Sequence, residues 1–229
     1  HLEHRRQRQM CIRDRIIYCS ITGFGQTGPY ADRLGYDFII QALSGIMDLT
    51  GEPDGEPQKM GVAFADIFTG LYGVIAIQSA LRVREHSQKG QHIDLSLMDS
   101  MVAVLANQAS NYFVSGKSPK RMGNKHPNIV PYQVFQVKDG HLIIAVGNNE
   151  QFERFCKVIG LDYLYSSEKY NSNQKRVQNR EKLVEIITSK TTEYNKNDLK
   201  SLLEENNVPV GSVNDIEEVF NDPQVKYRK

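Results

Sequence analysis

Asp66 is the side chain in this sequence best placed to do chemistry. It stands in Gly61-Val62-Ala63-Phe64-Ala65-Asp66-Ile67-Phe68-Thr69-Gly70, and an apolar segment follows as far as Arg84. The pattern predicts a helix, and the dipole and unpaired N–H groups of a helix N-terminus favour a carboxylate there. Two roles fit such a residue: an ordinary N-cap, or a carboxylate presented for nucleophilic work. Gly70, Gly73 and Ala76 fall three apart, which predicts a nearly bare stripe where another backbone or a ligand comes close.

Other residues offer binding rather than bond-making. Ile16-Ile17-Tyr18-Cys19-Ser20-Ile21 is a β-rich run that pours into Thr22-Gly23-Phe24-Gly25-Gln26-Thr27-Gly28-Pro29. A strand running into a glycine-rich loop is where open α/β sheets place ligands, although an ordinary βα turn reads the same way. The loop has neither Walker spacing nor a dinucleotide fingerprint, so no nucleotide phosphate site is assigned. Arg33 reads either as a partner for a phosphate or carboxylate or as a solvated surface residue. The six histidines show no ligand spacing, which argues against a metal site. Cys11, Cys19 and Cys156 are too scattered for a disulfide framework and point to a reducing, cytoplasmic setting.

The elements that must position these residues follow from pattern. Residues 1–15 carry a dense charge mix without period; Met10 to Arg15 resembles translated adaptor DNA, so 1–15 is set aside as a non-native scar and the chain is expected to be a fragment. Helices are expected over Tyr36 to Leu49, Gly61 to Arg84 and Met98 to Phe113, with a strand at His92 to Leu97. This βαβα rhythm predicts an α/β layer with at least partly parallel strands. After the basic connector around Ser115 to Arg121, Tyr132–Val137 and His141–Val146 flank Lys138-Asp139-Gly140, a hairpin signal. Polar helical sequence follows from Asn173 to Leu203. A net charge of +1 gives no electrostatic case for nucleic acid, and no apolar run is read as long enough to span a membrane.

Several blocks taken together carry a resemblance: the Gly23–Pro29 loop, Gly35-Tyr36-Asp37, the Asp66 segment, Lys89-Gly90-Gln91-His92-Ile93-Asp94, Gly123-Asn124-Lys125-His126-Pro127 and the Tyr132–Val146 hairpin. In order and spacing the chain resembles the family III coenzyme A transferases, which include formyl-CoA, carnitine and dicarboxylate CoA-transferases and the α-methylacyl-CoA racemases. The resemblance implies an α/β fold: an incomplete Rossmann-like large domain over 16–115, a linker and glycine loop at 116–127, a smaller α+β domain at 128–207, and the start of a return to the large domain at 208–229. It implies interlocked ring-shaped homodimers, acyl-CoA and a carboxylic acid as substrates, and no permanently bound cofactor.

The resemblance puts the catalytic aspartate on Asp66 and substrate or CoA contacts on Tyr36, Asp37, Arg33, Gly123, Asn124 and His126. Gly123-Asn124 is expected to reach the active site, and His126 to be a loop residue near the acyl acceptor or a purely structural one. Racemases of the family carry a histidine before the aspartate of the Gly-x-Asp element, because α-proton exchange needs two facing acid/base groups. Tyr36 stands there instead, as in the transferases, though a buried, hydrogen-bonded tyrosine is its plain alternative. A transferase using succinyl-CoA is therefore the leading expectation, with a racemase or a catalytically silent CoA-binding module as alternatives.

Overall fold

The structure is a computed structural model that describes residues 14–228. The scar assigned to 1–15 lies outside the described residues up to position 13. Of its last two members, the carbonyls of Asp14 and Arg15 accept hydrogen bonds from the Gly90 N–H and the Arg84 guanidinium. The chain is mixed α/β and divides into two compact units between Gly123 and Asn124.

In the first unit, β1 (Ile17–Thr22) and β2 (Gln91–Ser96) pair in parallel, from Ile17 opposite Gln91 to Thr22 opposite Ser96. A parallel pair needs a crossover. Here it consists of α1 (Asp37–Leu43), α2 (Ile46–Leu49) and the long α3 (Phe64–Ser87). The single helix expected over Tyr36 to Leu49 is interrupted at Ser44-Gly45, where Gly45 adopts a left-handed conformation. The helix expected over Met98 to Phe113 is likewise two, α4 (Leu97–Val104) and α5 (Ala106–Ser115), because Ala106 has φ +47°. The Ser96 hydroxyl caps α4 by accepting from the Asp99 N–H. Ile40, Ala65, Leu97 and Met101 form the buried centre of this unit.

Helix α3 buries Ala65, Thr69, Gly73 and Ala80. The small-residue stripe therefore lies differently from the expected one: a Cβ on Gly73 would touch Leu95, whereas one on Gly70 would meet nothing. The buried residues Ala65, Thr69 and Gly73 are spaced by four, and Gly70 is off that face. The expectation that no segment is long enough to span a membrane also needs correction. Over its 24 residues, α3 is long and apolar enough by length and composition alone. Glycines, Thr69, Gln78 and Ser79 interrupt any continuous apolar run, but no charge stands between Asp66 and Arg82. Ile67, Leu71, Val74 and Ile75 on α3 are half or more exposed.

The second unit is built on a three-stranded antiparallel sheet, β3 (Tyr132–Val137), β4 (Gly140–Ala145) and β5 (Val210–Ser212), in that order. The β3–β4 hairpin turns on Lys138-Asp139, one position before the expected Asp-Gly pair, and Gly140 already pairs with Val137. Val210–Ser212 pairs with β4, so residues assigned to the return segment supply the third strand of this sheet. Helices α6 (Asn149–Val158), α7 (Tyr163–Ser166), α8 (Asn173–Gln178), α9 (Arg180–Thr191) and α10 (Lys196–Glu205) follow β4, and α11 (Ile216–Asn221) and α12 (Pro223–Arg228) follow β5. Phe135, Leu142, Ile144, Phe152, Phe155, Leu183, Ile187 and Leu199 fill the core beneath the sheet. Cys156 belongs to it, and burial pushes its thiol up to about 12, so it acts as a small hydrophobe.

Arg176 is fully buried in this core. Its Nε, Nη1 and Nη2 donate to the carbonyls of Val130 and Tyr170 and to Asn149 Oδ1 at 2.8, 3.0 and 3.0 Å. Its guanidinium lies over the Phe152 ring, and burial pulls its pKa down to about 10. Arg176→Lys keeps the charge but loses the fork that serves three acceptors at once. Equilibrium urea unfolding is expected to show a loss of about 2–4 kcal/mol for this variant.

Candidate functional site

Asp66 is the third residue of α3, and Ala63 occupies the N-cap without a side-chain cap of its own. Asp66 is therefore not the cap of its helix. That role falls to Asp37, the first residue of α1, whose Oδ1 accepts from the Ala65 N–H at 2.8 Å and the Asp66 N–H at 3.4 Å. Asp37 Oδ2 in turn accepts from Gln41 Nε2 at 2.7 Å, and Gln41 Oε1 accepts from the Met60 N–H at 2.9 Å. The Asp66 side chain is exposed, and among the described residues its carboxylate has no hydrogen-bond partner. An exposed carboxylate whose oxygens are not engaged by protein donors can act as a nucleophile.

One backbone contact and one side-chain anchor fix where α1 begins. Gly23, just beyond β1, packs directly on Gly35, and a Cβ on Gly23 would lie 2.6 Å from Gly35 Cα. A Cβ on Gly35 would meet Gly23 at the same distance and would crowd Ile40 and Phe24. The glycine loop is held from β2: both oxygens of Asp94 accept from the Gln26 N–H, at 3.1 and 3.0 Å. Thr22 Oγ1 accepts from the Gly25 N–H. Asp94, noted in the sequence only as part of a motif, is thus a loop anchor.

The other expected site residues are distributed as follows. Tyr36 is the N-cap residue of α1 and is 69% exposed, so it is not a buried aromatic. Arg33 stacks its guanidinium 3.8 Å from the centre of the Tyr30 ring. Gly123 belongs to the first unit, where its N–H donates to the Gly51 carbonyl and its α-carbon faces the Glu52 carboxylate. Its N–H is therefore engaged within the protein, and Glu52 is a neighbour that sequence reasoning missed. Arg121, placed in a solvated connector by the sequence, clamps this loop by donating to Asp48 and to the carbonyls of Glu52 and Gly55.

Asn124 and His126 belong to the second unit, and Asn124 is exposed. His126 Nδ1 accepts from the Asn128 N–H, its ring lies against Tyr132, and its carbonyl accepts from Arg180 Nη2. Burial, followed by the charge of Arg180, holds its imidazole below the ordinary 6.5. These contacts tie His126 into its loop. Among the expected residues, the structure thus joins Asp37 to Asp66 by hydrogen bonds.

The sequence model of CoA-transferase family III matches residues 3–229, and the chain belongs to that family. It is 54% identical over 217 residues to the succinate–glutarate CoA-transferase of Agrobacterium fabrum, covering 95% of this chain and 54% of that protein. The succinyl-CoA:glutarate CoA-transferase of Mus musculus is 45% identical over 214 residues, covering 93% and 49%. A crystal structure of a CaiB/BaiF family protein from Brucella suis superposes with a TM-score of 0.80 at 56% identity, covering 97% of this chain and 59% of that one. The chain spans about half the length of the curated relatives it matches.

Two outcomes test the local architecture. Gly35→Ala forces a methyl group into backbone, and denaturant unfolding is expected to show a loss of about 1–3 kcal/mol. His126 binds a proton less readily folded than unfolded, so its contribution to stability is full above the ordinary 6.5 and falls as pH drops through that value. The melting temperature of wild type is expected to fall more steeply than that of His126→Gln between about pH 7.5 and 5.5.

Proposed function

We propose that this chain carries the acyl-accepting carboxylate of a CoA-transferase that moves coenzyme A from succinyl-CoA to a free dicarboxylic acid such as glutarate. The observation that carries the reading is the exposed, unpartnered Asp66 carboxylate on a helix start held by a second carboxylate, Asp37. The substrate names come from relatives that are 54% and 45% identical to it over the aligned residues, about half of their own length.

In the proposed sequence, an Asp66 oxygen attacks the thioester carbonyl, the C–S bond breaks, and CoA leaves as thiolate. The thiolate attacks the Asp66 carbonyl carbon of the resulting mixed anhydride, releasing the donor acid as carboxylate and leaving an aspartyl-CoA thioester. An acceptor carboxylate attacks that thioester and expels the thiolate again. The thiolate then attacks the acceptor's own carbonyl in the second anhydride, giving the new acyl-CoA and restoring Asp66. Covalent catalysis divides one difficult exchange into four easier displacements.

Within this reading the protein is a cytoplasmic homodimer with interlocked subunits, its first unit is part of a Rossmann-like domain, and CoA enters as substrate rather than as a resident cofactor. Tyr36 borders the acyl-CoA as a polar aromatic wall, and Arg33 offers its cation to a phosphate or carboxylate.

The test is incubation with succinyl-CoA and a panel of carboxylic acids, followed by mass spectrometry of acyl-CoA products and of hydroxylamine- or borohydride-trapped peptides. Wild type is expected to form new acyl-CoA and a trapped adduct on the Asp66 peptide. Asp66→Ala is expected to lose the adduct and at least ~1000-fold of the exchange rate. Absence of exchange with deuterium uptake at the α-carbon of a branched acyl-CoA would replace this reading with the racemase.

A further inference from the structure

Gln41 has no role in any chemistry read from the sequence, yet it is fully buried. A buried primary amide is expensive unless both its donor and its acceptor are used. Here both are. Nε2 donates to Asp37 Oδ2, and Oε1 accepts from the Met60 N–H. The two bonds reach opposite ends of one short segment. Met60 lies at the start of the approach to α3, and Asp37 closes its far end by holding Ala65 and Asp66. One side chain therefore fixes both ends of the stretch that delivers the Asp66 carboxylate.

We propose that Gln41 is a positioning residue for Asp66, acting through the Asp37 carboxylate and through the Met60 backbone. The proposal rests on the reading of Asp66 as nucleophile. The chemistry of the position is narrow. It requires a group that donates to a carboxylate and accepts from an N–H in the same plane, which a neutral amide does and an ionised carboxylate does not. With Gln41 in place, Asp37 cannot rotate away from α3 without breaking a second bond. The helix start, and with it the carboxylate of Asp66, keeps one orientation before substrate arrives. Small errors in such an orientation cost rate steeply.

Two variants test this in the full chain. Gln41→Met preserves volume and removes both bonds. Gln41→Glu places a second carboxylate against Asp37; titratable groups tied to the same hydrogen-bonded segment include Asp66, whose N–H donates to Asp37, and Lys59, whose Nζ donates to the Met60 carbonyl. Near pH 7.5, adduct formation from succinyl-CoA is expected to fall about 10- to 100-fold in both, with the KM for the donor within about threefold of wild type. Gln41→Glu is expected to recover part of that rate near pH 5.5, where a shared proton restores the donor, while Gln41→Met does not recover. Amide hydrogen exchange at Ala65 and Asp66 is expected to quicken in both. Rates within about twofold of wild type, or a loss that only tracks the unfolded fraction measured in urea, would overturn the proposal. If wild type itself forms no adduct, the assignment of Asp66 fails and exchange alone decides. Faster exchange at Ala65 and Asp66 then upholds the coupling, and unchanged exchange removes it.

Discussion

The carboxylate of Asp37 on the Ala65 and Asp66 N–H groups at the start of α3 is the interaction on which the site depends. A helix start leaves several N–H donors without partners, and they attract whatever anion is nearest. In α3 the nearest side-chain oxygens within the helix are those of Asp66. Because Asp37 arrives from another helix and takes the Ala65 and Asp66 donors, Asp66 is not drawn back onto its own backbone. The same bonds tie α1 to α3 at the point where a reacting carboxylate must be held still.

That bond is possible only if α1 begins in the right place, and two features arrange this. The Gly23–Gly35 contact brings the chain leaving β1 against the chain entering α1 with no side chain between them. Asp94 on β2 grips the intervening glycine loop through Gln26. The parallel β1–β2 pair therefore does more than bury apolar surface: its C-terminal edge sets the loop, the loop sets α1, and α1 supplies the cap of α3. In the second unit Arg176 plays a comparable organising part, gathering three oxygens from separate segments under one guanidinium.

The position of Asp66 at a helix start and the parallel and hairpin strands were legible because each rests on local pattern. The function of Asp37 was not, since a Gly-x-Asp element looks the same whether its carboxylate faces a ligand or the next helix. A signal was present in Gln41, four residues on, which can bond Asp37 along one helix face. Arg176 and Arg121 were hidden for another reason. Charged residues in polar helices and connectors normally face water, and only the tertiary fold shows that these two are spent on carbonyl oxygens. The helix breaks at Gly45 and Ala106 are backbone outcomes of packing that apolar periodicity smooths over. The contacts of His126, an Asn128 N–H on Nδ1 and the Arg180 cation nearby, likewise come from residues that the His126-Pro127 pair does not reveal.

A carboxylate that must attack a thioester carbonyl faces opposing demands. It needs a positive environment to be held and to receive a polyanionic substrate, yet direct N–H bonds to its oxygens would occupy the lone pairs it has to use. Placing it at the third position of a helix whose cap is another acid meets both. The helix dipole still acts on Asp66 through space. The N–H groups that would otherwise bind it are saturated by Asp37, and Asp37 is itself locked by the Gln41 amide. The buried glutamine, the half-buried capping aspartate and the exposed aspartate then form one series, in which Gln41 holds Asp37, Asp37 holds the start of α3, and the Asp66 carboxylate faces solvent.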